Sequence, residues 1–139
     1  VAAQPAAASV ALTVSVTAQP ASGAGFFRVK QGATNLLDGY SSSGLFSCYY
    51  HVAGGDRQCT PSLTLPSSGS FQVSCSYDGS IITECVAGTC ATCTPSAFTA
   101  VTGATEIGVA APATGGYTNP GPLGAVSNLR ISSNPKAYR

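Results

Sequence analysis

Ten residues near the start of the chain, Ser9-Val-Ala-Leu-Thr-Val-Ser-Val-Thr-Ala18, constrain its fold more than any other stretch. Val10, Leu12, Val14 and Val16 fall on one side of an extended backbone, and Ser9, Ala11, Thr13, Ser15 and Thr17 on the other. Side chains in a strand point alternately to opposite faces, so this pattern predicts a β-strand with one buried and one wet side. Pro5 and Pro20 bracket it, and the run Ala21-Ser22-Gly23-Ala24-Gly25 follows as a loose tether. No charged residue occurs from Val1 to Phe27. A strand with a clean apolar face on a flexible arm can complete its own domain or a neighbour's sheet.

The remaining chain also reads as β-structure. Phe26 to Val29, Leu45 to Val52, Ser62 to Leu65, Ser70 to Cys75 and Ile81 to Val86 are short strand-like runs. So are Phe98 to Val101, Glu106 to Ala110 and Ala125 to Ile131, the first two pairing around Gly103. Asp38-Gly39, Gly54-Gly55-Asp56 and Asp78-Gly79 supply turn signals between them. No segment of helical length carries a period near 3.6. At 139 residues the size prior is a single domain. The expected architecture is all-β: a disulfide-stapled β-sandwich, immunoglobulin-like or pilin-like. Residues 1–24 form an N-terminal arm with the donor strand. Residues 25–139 form one sandwich domain that includes a Pro/Gly-rich tail with a last strand.

Six cysteines, Cys48, Cys59, Cys75, Cys85, Cys90 and Cys93, crowd the central third. An even set at this density in a short chain reads as a disulfide framework and an oxidising compartment. Cys48 and Cys59 flank one turn and Cys75 and Cys85 another, so local stapling with Cys90–Cys93 closing a tight loop is the simple pattern. Six cysteines nevertheless allow fifteen connectivities. Cys90-Ala-Thr-Cys93 has zinc-ligand spacing, but no second matching pair exists. Its neighbours read as loop, whereas a redox motif opens a helix. The chain has no Met, which points to Val1 as a processed end and to a secreted, extracellular protein. No apolar run of about 18 residues predicts a membrane span.

Charged residues are 8% of the chain and the net charge is +1. Nucleic-acid binding needs a basic face to displace counterions, so that class is excluded. Catalysis finds little to work with. Asp38, Asp56 and Asp78 adjoin glycines and read as turn residues. Glu84 and Glu106 remain, and nothing places them across one sugar bond as a glycosidase requires. The one histidine, His51, stands on the strand face of Tyr49, without a nucleophile-elbow motif, and cannot alone build a multi-histidine metal centre. The chain is expected to be no enzyme and to need no cofactor. Tyr40, Tyr49, Tyr50, Tyr77 and Tyr117 offer apolar rings with polar tips and are candidates for a carbohydrate-binding face, although tyrosines in β-proteins more often pack over strand edges. No Asn-x-Ser/Thr sequon exists, but Ser and Thr near Pro at Thr60, Thr94, Ser96 and Thr118 permit O-linked glycans.

An open sandwich lacking one strand exposes unpaired backbone and an apolar groove, and a strand from the next copy satisfies both. Head-to-tail donation does not close on itself and makes a filament. Val10, Leu12, Val14 and Val16 would be the donated face, and seven extended linker residues reach roughly 23 Å. In its arm and expected sandwich the chain resembles the donor-strand pilins of bacterial surface fibres. The clustered cysteines depart from that pattern. The expectation is therefore a secreted structural subunit whose partners are copies of itself. The alternative is a monomeric, disulfide-rich secreted binding module, effector-like or carbohydrate-binding.

Overall fold

A computed structural model describes residues 8–20, 22–31, 34–52, 55–58, 62–78, 81–94, 105–109 and 123–132. Side chains are described for 9–20, 22–28, 38–49, 62–78, 81–94 and 125–132. Among these residues the chain is all-β, in eleven strands. They are β1 (Ala8–Val16), β2 (Gly25–Gln31), β3 (Thr34–Ser42), β4 (Leu45–Val52), β5 (Gly55–Gln58), β6 (Leu63–Thr64), β7 (Gly69–Tyr77), β8 (Ile82–Val86), β9 (Thr89–Cys93), β10 (Thr105–Val109) and β11 (Leu123–Ser132).

Two antiparallel sheets face each other. The first runs β11-β1-β7-β8-β9, and the second runs β10-β2-β3-β4-β5 with β6 also on β4. Val10, Leu12 and Val14 pair in register with Cys75, Val73 and Phe71, and β8 adds Val86 and Ile82. All are buried and meet Phe26, Phe27, Phe46 and Cys48 from the second sheet. Phe26 and Phe46 stack as tilted rings 5.7 Å apart. Each large side chain removed from water contributes roughly 1.5–3 kcal/mol, so this shared interior is the main force holding the sheets together.

The N-terminal strand is central, flanked by β7 and β11. Its apolar phase is as expected, but its second face is not wet: Ser9 and Ala11 are buried, while Thr13 and Ser15 are half-buried. Arg130 on β11, opposite Ala11, reaches across β1 to hydrogen-bond Gln72 on β7, and so roofs that face. The connection after β1 is no loose tether either. Pro20 and Ala24 are buried, Ser41 exchanges backbone hydrogen bonds with Gly23 and Ala24, and Gln19 Nε2 donates to the carbonyls of Gly44 and Leu65. Polar groups in this short connection satisfy backbone that would otherwise be orphaned, which fixes its path.

Three further expectations are corrected, while the pairing expected for Phe98 to Val101 is not tested among the described residues. Asp38-Gly39 lies inside β3 and is not a turn; Gly39 is there because the Phe27 ring occupies the space a Cβ would need, at 2.5 Å. Residues 89–93, read as loop, form β9. Ala87 and Gly88, both at positive φ, make the two-residue turn into it. β10 pairs with β2, while Phe98 to Val101 lies outside the described residues. Local cysteine stapling gives way to Cys48–Cys75, which joins β4 to β7 across the two sheets, and Cys85–Cys90, which joins register partners on β8 and β9. Strand alternation decides this: Cys48 and Cys75 both face the interior from opposite sheets. Cys93 is disulfide-bonded as well, to a partner outside the described residues. No helix among the described residues is long and apolar enough to cross a membrane.

Candidate binding face

The outer face of the second sheet gathers the side chains with most to offer a ligand. Phe46 and Cys48 point inward on β4, so Ser47 and Tyr49 take the opposite phase, where Ser47 is fully buried and Tyr49 half-buried. Register then aligns Arg28 on β2, Asp38 on β3, Tyr49 on β4 and Gln58 on β5 in one row, with Tyr40 opposite Ser47 in the next. Arg28 donates from Nε to Asp38 Oδ1 and from Nη2 to Oδ2, both at 2.8 Å. This fork geometry fixes both groups, and the pair is largely shielded, with 11% of the Arg28 side chain and 2% of the Asp38 side chain exposed. Tyr40 and Tyr49 meet edge to face at 6.0 Å beside it and are half-buried. An aromatic pair in this arrangement prefers a defined mutual angle, so the rings form a stepped apolar surface next to a polar centre.

Among the described residues of this face the Arg28 and Asp38 charges cancel at contact distance. What it can do is present ring faces to C–H groups and fixed dipoles to hydroxyls. The sequence singled out Tyr40 and Tyr49, and the structure brings them together. Of the other tyrosines, Tyr77 is buried in the core. The Tyr50 side chain and Tyr117 lie outside what is described. Arg28 and Asp38 were missed as a site. Asp38 looked like a turn residue, and only the two-strand register shows it facing Arg28.

The remaining candidate residues are placed as follows. Val10, Leu12, Val14 and Val16 line the core of their own domain, at 4% exposure or less. Cys48, Cys75, Cys85, Cys90 and Cys93 are all in disulfides; Cys59 lies outside the described residues, as do Thr60, Ser96 and Thr118. Thr94 is described and exposed. His51 and Asp56 are register partners on β4 and β5. Glu84 is buried in the interior, where Oε2 accepts the Cys48 N–H at 3.2 Å and, among the described residues, Oε1 has no hydrogen-bond partner. Among the described residues no group of three or more His, Cys, Asp or Glu is arranged to hold a metal ion.

No family model matches the chain, and no curated protein does. Among solved structures, the LG1–3 region of the laminin α2 chain is similar in fold, with a TM-score of 0.70 at 14% identity over 100% of this chain and 30% of that one. Two structures of the alginate lyase A1-II′ align over 95% of this chain and 64% of theirs, at 10% identity and TM-scores of 0.47 and 0.46, too low to bear on the fold. The laminin likeness, at 14% identity, establishes the β-sandwich architecture and nothing finer.

Proposed function

We propose that this chain is an extracellular binding module that recognises neutral carbohydrate through the outer face of its second sheet, without catalysing a reaction. The observation that carries the reading is the Tyr40–Tyr49 pair held beside the Arg28–Asp38 fork on that face. Sugar rings offer apolar C–H faces edged by hydroxyls, which is the complement of two tyrosine rings next to fixed polar groups. The balanced charge favours a neutral ligand over a strongly anionic one. Disulfides support an oxidising, extracellular setting. Titration calorimetry with neutral oligosaccharides tests the reading. The wild-type chain should bind at least one glycan class, and Tyr49→Ala should abolish binding while leaving the fold intact. Equal binding by Tyr49→Ala would rule this face out.

A second reading is self-assembly by exchange of β1 between copies into an extracellular filament. It is favoured by the position of that strand: β1 comes first among the strands and lies between β7 and β11, so withdrawing it opens two unpaired edges and the groove that held Val10, Leu12, Val14 and Val16. A copy's β1 fits that groove in the same register. The pinned Gln19–Ala24 connection favours the self-contained domain instead. Sedimentation velocity separates the two, since strand exchange gives a ladder of oligomers and the binding module sediments as one species.

A further inference from the structure

The two disulfides among the described residues stand in opposite settings. Cys48 and Cys75 are both fully buried in the shared interior, with a sheet on either side of the bond. Cys85 and Cys90 sit on the outer side of the first sheet. Ile82 and Val86 carry β8 into the core, so Cys85 takes the opposite phase, and Cys90 is its register partner on β9. Cys85 is buried, but Cys90 is exposed, as are Thr89 and Thr92 beside it. β9 ends its sheet, with no strand beyond it among the described residues. Solvent therefore approaches this bond from the Cys90 side.

A disulfide opens when a thiolate attacks one of its sulfurs, and the rate depends on access to that sulfur. We propose that Cys85–Cys90 is a thiol-exchange site on the folded protein, where a small thiol from solution attaches reversibly to Cys90. The thiolate RS⁻ attacks Cys90 Sγ, and a bond from R–S to Cys90 Sγ forms as the bond to Cys85 Sγ breaks. The electron pair of the broken bond leaves on Cys85 Sγ, which takes a proton from water. A second thiolate attacking the R sulfur releases RSSR and leaves Cys90 to take a proton in turn. Two thiols thus supply the two electrons of full reduction.

The sheet does not depend on the bond at this point, so its opening stays local. β8 and β9 remain paired from Ile82 with Cys93 to Val86 with Thr89, and Ala87-Gly88 closes the turn between them. The Ala87 N–H donates to the Gln72 carbonyl on β7, and Cys93 holds the end of β9 in a separate disulfide. The same ladder keeps the two sulfurs in reach of each other after opening, with their Cα atoms 4.1 Å apart. Cys85 can then attack Cys90 Sγ in the mixed disulfide and expel RS⁻, which makes the attachment reversible. No such route serves Cys48–Cys75, which a thiol reaches only when the sheets part in global opening of the domain.

Reduced glutathione added to the native, oxidised full chain at about pH 8 tests the site, with alkylation at intervals and peptide mass mapping. Glutathione or the alkyl label should appear on Cys90, and the alkyl label on Cys85. Both should arrive more than about a hundredfold faster than any label on Cys48 and Cys75. The opened protein should keep its far-ultraviolet dichroism, and diluting the glutathione should return the singly adducted protein to its starting mass. Labels reaching Cys48 and Cys75 at the same rate would overturn the proposal. So would a Cys85–Cys90 bond that opens only in urea, along the unfolding transition.

Discussion

Cys48 and Cys75 join the two sheets through the interior, with their Cα atoms 5.8 Å apart and a sequence separation of 27. By contrast, Cys85 and Cys90 are separated by 5 residues and already held opposite by a hairpin. A cross-link stabilises chiefly by restricting the unfolded chain, and more so for a longer loop. The paired change Cys48→Ser with Cys75→Ser should cost about 3–4 kcal/mol. Cys85→Ser with Cys90→Ser should cost about 2 kcal/mol or less. Denaturant midpoints of the two double variants check the order, and a larger loss from the hairpin pair would contradict it.

The phase of β1 makes a second prediction. Leu12 and Val14 are fully buried. A carboxylate placed there has no partner, so Leu12→Asp or Val14→Asp should cost several kcal/mol and abolish soluble folded protein. On the other face Thr13 accepts a hydrogen bond from Asn128 and Ser15 is hydrogen-bonded to Ser70, at half-buried sites near solvent. Thr13→Asp or Ser15→Asp should cost under about 1 kcal/mol. Urea unfolding of the four variants reads the difference directly, and equal losses from both faces would show that β1 does not have this phase.

Much of the architecture was legible because strand alternation is a local signal. β1, β4, β7 and β8 carry their apolar side chains inward, whereas Leu129 and Ile131 on β11 are exposed. Two strands were hidden by local chemistry that tertiary contacts override. Asp38-Gly39 reads as a turn from its own residues, yet Asp38 is fixed by Arg28 ten residues earlier and Gly39 is required by the Phe27 ring. Thr89-Cys-Ala-Thr-Cys93 has little apolar character because β9 lies at an edge of its sheet, and its hairpin is closed by Ala87-Gly88 where Asn-Gly would have announced it. The tyrosine face was half legible: ring chemistry flagged Tyr40 and Tyr49, but their adjacency depends on the β3–β4 register. The sequence left Glu84 as an unassigned carboxylate, but its burial gave no signal, since its hydrogen bond from the Cys48 N–H spans 36 residues between the two sheets.

Gly39 offers a sharp packing test. A Cβ there would sit 2.5 Å from Phe27 Cε1 and 2.6 Å from Cζ, and the ring is itself buried in the core with little room to turn. Gly39→Ala should destabilise by about 1–3 kcal/mol despite the usual gain from removing a glycine. Phe27→Leu in the same background should recover part of that loss, as a double-mutant cycle of melting curves would show.

Ala87 points the other way. Its φ of 49° is a left-handed conformation that costs an alanine roughly 1 kcal/mol. Ala87→Asn or Ala87→Gly in this two-residue turn should therefore stabilise the chain by up to about 1 kcal/mol. A rise in melting temperature with no change in far-ultraviolet dichroism is the expected result, and a fall would mean that the turn is not left-handed at this position.

The most direct test of the proposed recognition face is backbone and aromatic chemical-shift mapping of the oxidised full chain during titration with neutral hexose and N-acetylhexosamine oligosaccharides. Saturable shifts should cluster on Tyr40, Tyr49 and the Arg28–Asp38 pair beside them, on the outer side of the second sheet. Saturable shifts confined to the β11-β1-β7 side, or none at any concentration tested, would contradict a carbohydrate site built on the Tyr40–Tyr49 pair.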